Sequence, residues 1–246
     1  MTMSGQTTLA GAVVLVTGAG QPLGDAIAQR LGEAGARLAL VHLPEDAAAA
    51  QRLQSETGAP LALACDPRDP EAVRGAVRAV AAQCGGLDAL VTATVARVRG
   101  SARTLPFEEW ARVIDVELSG SLYFSREAMR MMVRRRHGLI VNVADTFGLK
   151  LAAANNAAAR GVAALMRALA SEAAPHNIRV NAVSVSTMPH EFDGVDVAGG
   201  QSALRDTTFG RAAHPEEVAA AVHFLLSEDA RFINGHAIPV NGGLYP

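Results

Sequence analysis

The first residues whose types and spacing could do chemistry form a glycine-rich turn at positions 18–24, with the sequence GAGQPLG. The turn follows a short apolar run at 12–17, which is typical of a strand buried on both faces, and it leads into a helical pattern. Glycine lets a backbone approach a ligand closely, and the N–H groups at a helix N-terminus attract anions such as a pyrophosphate. Such a turn has low specificity on its own, and Pro22 removes one of its N–H groups.

Residue types that bind metals show no ligand spacing in this chain. Cys65 and Cys84 lie on either side of a predicted helix, and two thiols in 246 residues do not make a disulfide framework. Histidines at 137, 176, 214, 223 and 236 are scattered without a ligand pattern. We therefore expect reduced cysteines and no metal site.

Strands and helices are predicted to alternate along the chain. Apolar, β-branched runs predict strands at 12–17, 38–41, 61–64, 89–91, 139–143 and 177–183. Helical patterns predict one helix that ends near 33 and others at 44–56, 70–84, 107–136, 152–174 and 215–226. Such alternation implies parallel strands joined by right-handed crossovers. The predicted fold is therefore α/β, with one domain over residues 1–246 and a doubly wound, Rossmann-like parallel sheet that has helices on both faces.

Two long helices show the clearest periodicity. On the helix at 152–174, Val162, Leu165 and Leu169 define a core side, and alanine at most other positions leaves room for another helix to approach. On the helix at 107–136, the predicted core side includes Trp110 and Phe124.

Composition and charge argue against several classes of protein. A chain of 246 residues with 50% hydrophobic content can bury the core of one large domain. Its net charge of −2 and pI near 6.4 give no electrostatic reason to expect nucleic acid or an anionic membrane as a partner. Without a signal-peptide pattern or an apolar run of about eighteen residues, the sequence predicts a soluble, cytoplasmic protein.

Several segments resemble the short-chain dehydrogenase/reductase family. The run SEAAPHNIRVNAV at 171–183 is similar to the segment that follows the catalytic helix of that family. Four further segments extend the resemblance over nearly the whole chain: the turn at 17–18, residues 65–66, the run GLIVN at 138–142 and the tail at 210–243. The resemblance implies a Rossmann-like fold, a dinucleotide cofactor in active members and a mobile substrate loop near 187–208.

The resemblance also places the family's catalytic residues. Active members begin the catalytic helix with Tyr-x-x-x-Lys, in which lysine lowers the pKa of the tyrosine that acts as general acid/base. Counting back without a gap from the following strand, the tyrosine position falls on Asn155 and the lysine position on Ala159. No Tyr-x-x-x-Lys occurs elsewhere, because the chain has one lysine, Lys150, and two tyrosines, Tyr123 and Tyr245. The isolated chain is therefore predicted to lack hydride-transfer activity.

Acidic residues stand at the two other catalytic positions, where the family's asparagine falls on Glu117 and its serine on Asp145. One interpretation is a carboxylate pair in a shared cavity that performs new acid/base chemistry, such as hydration or elimination on an acyl chain. The other is that polar residues fill a site that no longer performs hydride transfer. We favour the second, because buried acids also arise in structural networks.

The expected path of the dinucleotide is altered as well. In this family a Thr-Gly-x-x-x-Gly-x-Gly turn holds the pyrophosphate, and a charged residue near the end of the second strand selects NAD or NADP. Gly18 and Gly24 are retained, and Asp66 matches the aspartate that contacts adenine. The departures are Pro22 at the middle glycine, His42 at the end of the second strand, Pro67 after Asp66, Val95 in place of a glycine after the fourth strand, and 185–186 in place of Pro-Gly. We therefore expect this chain to bind no cofactor.

These substitutions predict a non-catalytic subunit that supports an active paralogue. The expected assembly is a hetero-oligomer, such as a heterotetramer, in which the partner binds NAD. The resemblance implies contacts through the helices at 107–136 and 152–174, or through the tail at 235–243 and its preceding helix. Two alternatives stay open: an enzyme with a repurposed pocket that uses Glu117 and Asp145, and a sensor that binds a nucleotide or an acyl ligand.

Overall fold

The computed structural model describes residues 9–96, 98, 102–145, 153–185 and 207–243. Its strands are β1 Val13–Thr17, β2 Arg37–His42, β3 Leu61–Ala64, β4 Ala89–Thr92, β5 Gly138–Asp145, β6 Ile178–Val185 and β7 Ala237–Val240. In the described ranges they form a seven-stranded parallel sheet in the order β3-β2-β1-β4-β5-β6-β7. The predicted α/β class and doubly wound parallel sheet are confirmed.

The α-helices begin and end close to the predicted positions. They are α1 Pro22–Glu33, α2 Ala47–Thr57, α3 Pro70–Cys84, α4 Phe107–Val113, α5 Gly120–Arg135, α6 Ala153–Ala173 and α7 Pro215–Leu226. Proline opens α1, α3 and α7, because the first residue of a helix does not need its N–H for an intrahelical bond. In the part of the chain that the structure describes, no helix is long and apolar enough to cross a membrane.

The helices pack on both faces of the sheet, as alternate side chains of β1 show. Val14 and Val16 belong to a buried cluster that includes Ile27 of α1. Leu15 belongs to a second cluster on the opposite face, which includes Phe124 of α5. Since all of β1 is buried, this strand lies at the centre of the core.

A π-helical segment, Ile114–Ser119, interrupts the helix that the sequence predicts at 107–136. The Ser121 hydroxyl donates a hydrogen bond of 2.6 Å to the Glu117 carbonyl oxygen. Leu118 faces α6 at Gly161, where an added Cβ would lie 2.7 Å from the Leu118 Cδ2 atom. The segment thus brings Glu117 inward beside α6.

Trp110 and the segment near 187–208 differ in how the structure bears on their predictions. Trp110, predicted on the core side, is 41% exposed, so the prediction for this residue is wrong. The predicted loop near 187–208 lies almost entirely outside the described residues.

Candidate functional site

The glycine-rich turn between β1 and α1 is held by close backbone contacts. A Cβ on Gly24 would overlap the carbonyl oxygen of Gly18, so the first turn of α1 touches the end of β1 directly. The N–H of Ala19 donates to the carbonyl oxygen of Val41 in β2 at 3.1 Å. Pro22 is the first residue of α1. The tight turn that the glycines predict is therefore present.

The N–H of Gly20 and both polar atoms of the Gln21 side chain are engaged by the chain itself. The N–H of Gly20 donates to Asp25 Oδ1 at 2.7 Å. Gln21 Oε1 accepts the N–H of Val95 at 3.2 Å, and Gln21 Nε2 donates to Asp46 Oδ2 at 3.2 Å. Burial is the main cause that raises the pKa of both carboxyl groups, Asp25 and Asp46. Sequence reasoning missed these residues, and its one available signal was an acid in the first turn of a helix.

Hydrogen bonds join the strand ends at the point where a ligand would enter the sheet. In open α/β sheets, ligands bind outside the carboxyl ends of the strands at the point where the strand order reverses, which here lies between β1 and β4. One cavity between the described residues at these two strand ends, lined by Thr17, Thr92 and Thr94 among others, has a volume of about 10 Å³, roughly the space of one water molecule. The Thr17 hydroxyl oxygen accepts hydrogen bonds from the Ala93 N–H at 3.1 Å and the Thr94 hydroxyl at 2.9 Å. These bonds fasten the end of β4 to β1.

The residues that would meet the ribose and the adenine are also engaged. The His42 ring is buried, and its Nδ1 lies 2.8 Å from the Leu43 carbonyl oxygen. Because a carbonyl oxygen only accepts, Nδ1 carries a hydrogen in this arrangement. The Asp66 carboxylate pairs with Arg68 at 2.7 Å, and hydrogen bonds from Arg68 lower the pKa of Asp66. An added Cβ on Gly120 would lie 2.8 Å from the Pro67 Cβ, so Pro67 packs on the start of α5.

Among the described residues on this path, three are not arranged as a dinucleotide cradle would need them. The donor of Gly20 is bonded to a carboxylate, Pro22 has no donor, and His42 turns Nδ1 towards the backbone beside it. Ser186, one of the predicted departures, lies outside the described residues.

The structure brings together two of the four catalytic positions, Glu117 and Asn155. The Asn155 amide donates from Nδ2 to Glu117 Oε1 at 3.0 Å and to the Ala96 carbonyl oxygen at 2.9 Å, which uses both of its hydrogens. Glu117 Oε1 also accepts the N–H of Ala96 at 3.1 Å, and Asn155 Oδ1 accepts the N–H of Val98 at 3.3 Å. Both side chains are buried. The pair fastens the segment after β4 to α6 and to the π-helical segment.

The two other positions differ from each other. Ala159, at the lysine position, is buried and packs in an apolar cluster with Ala144, Val162 and Leu118. Asp145 ends β5 opposite Val185 of β6, and its side chain lies outside the described residues. The predicted meeting of Glu117 with Asp145 therefore stays a prediction.

The described histidine, cysteine and acidic side chains include no group of three or more that could hold a metal ion. The buried Cys65 and Cys84 are free thiols, and burial raises the pKa of Cys65 to about 11. A thiol with so high a pKa is a poor nucleophile at neutral pH.

Comparison with known proteins gives a consistent result over nearly the full length. A family model described as enoyl-(acyl carrier protein) reductase matches residues 18–245. The chain is 34% identical over 239 residues to meso-2,3-butanediol dehydrogenase of Serratia marcescens, covering 94% of this chain and 93% of that protein. It is 35% identical over 243 residues to D-threitol dehydrogenase of Mycolicibacterium smegmatis, covering 96% and 93%. A crystal structure of NAD⁺-bound xylitol dehydrogenase is similar with a TM-score of 0.88 at 29% identity, covering 95% of this chain and 99% of that one.

Proposed function

The chain belongs to the short-chain dehydrogenase/reductase family of oxidoreductases, and we propose that it is a member that does not itself catalyse hydride transfer. The observation that carries this proposal is the pair of residues at the Tyr-x-x-x-Lys positions. The amide of Asn155 does not act as a general acid/base near neutral pH, and Ala159 offers no cation to lower a pKa. The hydrogen bonds between Asn155 and Glu117 support a structural role for both side chains.

The role that we propose is that of a supporting subunit in a hetero-oligomer, such as a heterotetramer, whose active paralogue binds NAD. Its contacts would use the helix surface, formed by α4, α5 and α6, or the tail surface, formed by α7 and β7. Exposed large apolar side chains support this proposal, because patches of them mark interaction sites. On the helix surface they are Phe107, Trp110 and Leu122; Phe224 lies on α7, and Phe232 lies in the segment that joins α7 to β7.

The complex that we propose to test first is a hydroxyacyl-CoA dehydrogenase of anaerobic toluene breakdown, which oxidises 2-[hydroxy(phenyl)methyl]succinyl-CoA with NAD. This chain resembles the inactive subunit of a two-gene dehydrogenase, because it combines the family fold with changed residues at the catalytic positions. Purification of the native complex, followed by mass spectrometry of the chain that accompanies it, provides the test. A partner with an intact Tyr-x-x-x-Lys supports the proposal, whereas a lone monomer at high concentration contradicts it.

The isolated chain is expected to show no alcohol oxidation or ketone reduction with NAD or NADP. General acid/base catalysis alone contributes about 10²- to 10⁴-fold to such rates, and the group that supplies it is missing. Absorbance of NADH at saturating cofactor, with a panel of secondary alcohols, measures the rate. Robust NADH formation that disappears on changing a residue of this chain would overturn the proposal.

Restoring the motif with Asn155→Tyr and Ala159→Lys is not expected to restore activity. The tyrosine must replace the buried amide that holds Ala96 and Val98, and the lysine would enter the apolar contact with Ala144. Glu117 and Asp145 would also compete for the charge of the lysine, which must in addition meet a ribose held by an altered cradle. Single-turnover hydride transfer by the folded double variant, above the wild-type background, would show that the remaining site is intact.

A further inference from the structure

The turn that follows β2 packs directly against the glycine-rich turn. A Cβ placed on Gly20 would lie 2.8 Å from the carbonyl oxygen of Asp46 and 2.9 Å from its Cβ. Residues Pro44–Asp46 form a 3₁₀ turn at this point. In doubly wound folds the ribose of a dinucleotide lies between the end of the second strand and the glycine-rich turn. A side chain at position 20 would therefore collide with Asp46, so the two turns pack closely beside the place where the ribose would lie.

Gln21 links three segments that surround the same place. Its Oε1 accepts the N–H of Val95 after β4, and its Nε2 donates to the carboxylate of Asp46 after β2, both at 3.2 Å. A ligand that entered between these segments would have to break both hydrogen bonds. Each bond that is broken without replacement leaves a partly buried polar group unpaired, which costs free energy.

The Asp25 carboxylate accepts a hydrogen bond from the glycine-rich turn, as a bound anion would. The N–H of Gly20 donates to Asp25 Oδ1 at 2.7 Å, the short distance typical of a hydrogen bond to a charged acceptor. Gly20 lies in the turn just before Gln21, the N-cap residue of α1. Backbone N–H groups in such turns can donate to a phosphate oxygen. Burial is the largest cause that raises the pKa of Asp25, and repulsion from Glu56 and Asp46 adds to it. Two carboxylates beside one donor would also repel a further anion.

We propose that Asp25, Gln21 and Asp46 form a built-in closure of the nucleotide cradle that excludes phosphate-bearing ligands from this chain. The Asp25 carboxylate takes the place of a phosphate oxygen on the Gly20 N–H. Asp46 fills the space against Gly20 and adds a second negative charge, while Gln21 holds the surrounding segments together. The closure rests on the proposed function, because a subunit that performs no hydride transfer has no need of the cofactor.

The test compares an opened variant with a matched control in the full chain. The opened variant is Gln21→Ala with Asp25→Ala. The control is Gln29→Ala with Glu33→Ala, which removes the same types of group from exposed positions of α1. Isothermal titration calorimetry uses inorganic pyrophosphate and, separately, NAD as the probe. We expect no binding by the wild type or the control, and a gain in pyrophosphate affinity of about tenfold or more in the opened variant, because a negative charge beside the anion has been removed.

The outcomes separate the closure from the proposed function. An opened variant with wild-type circular dichroism that gains no pyrophosphate affinity overturns the closure and leaves the proposed inactivity standing. Micromolar binding of NAD by the wild type overturns the closure and also the proposed absence of a cofactor. If the double variant does not fold, the single variants Asp25→Asn and Gln21→Ala replace it. The closure then requires a gain in at least one of them, and no gain in either overturns it.

Discussion

Replacing Ala164 by glutamate is expected to separate this chain from its partner and to abolish the activity that depends on the complex. Ala164 is exposed on α6, and so is Ala168 one turn further along the same helix. Small side chains at these positions let another helix approach closely, which a glutamate would prevent. An unpaired charge buried in an interface costs about 3–5 kcal/mol, which is more than a hundredfold in the association constant.

The fold of the Ala164→Glu chain should stay intact, because an exposed helical alanine can become glutamate at a cost of about 0.5 kcal/mol or less. Size-exclusion chromatography with light scattering and turnover by the co-expressed complex measure the two effects. Ala48→Glu provides the matched control, since Ala48 is exposed on α2 and lies outside both proposed surfaces. An intact, active complex with Ala164→Glu would remove the helix surface from the proposal.

The second large effect is expected on stability, where Asn155→Leu should lower the free energy of unfolding by about 3 kcal/mol or more. The leucine removes the two Nδ2 donors and the Oδ1 acceptor. The buried Glu117 carboxylate and the Ala96 carbonyl then lose a donor each, and the Val98 N–H loses its acceptor. Urea denaturation followed by circular dichroism gives the midpoint and the slope from which the change is calculated.

Glu117→Gln is the informative companion to Asn155→Leu. It keeps an Oε1 that can accept from Ala96 and Asn155, so a structural role predicts a change in stability of less than about 1 kcal/mol. A general base at Glu117 predicts instead that Glu117→Gln removes turnover of an acyl substrate while leaving stability alone. An Asn155→Leu chain as stable as the wild type would show that the hydrogen bonds between Asn155 and Glu117 do not hold this part of the molecule together.

Proline and glycine made the helix boundaries predictable. α3 begins at Pro70 and ends at Cys84, just before Gly85 with its φ of 79°, as the sequence predicts. The π-helical segment was not predictable, because its wider turn depends on contacts with another helix, such as Leu118 against Gly161. Periodicity within one helix carries no information about such contacts. Trp110 fits the apolar spacing of the core side and is nevertheless exposed.

The sequence predicted which residues lie at the candidate site, but not which residues they contact. A gapless count from β6 places Asn155 at a catalytic position, and the resemblance to the family places Glu117 at another. The structure places both in the same buried network. The sequence suggested Asp145 as the neighbour of Glu117, whereas the contacts described here are with Asn155 and the backbone at Ala96. Bonds between residues 38 positions apart arise from the packing of α6, which a linear pattern does not report. The hydrogen bonds of Gln21 to Val95 and Asp46 are long-range in the same way.

Gly24 has a use that does not depend on any ligand. Because any side chain there would collide with the Gly18 carbonyl oxygen, the chain must keep this glycine in order to join its first strand to its first helix. A glycine pattern at such a junction can therefore be required by the packing of the strand against the helix alone. It can persist in a chain that binds no dinucleotide. The direction of the neighbouring N–H groups is more informative. In a turn that binds a phosphate these groups point towards the ligand, whereas here the N–H of Gly20 points at the Asp25 carboxylate.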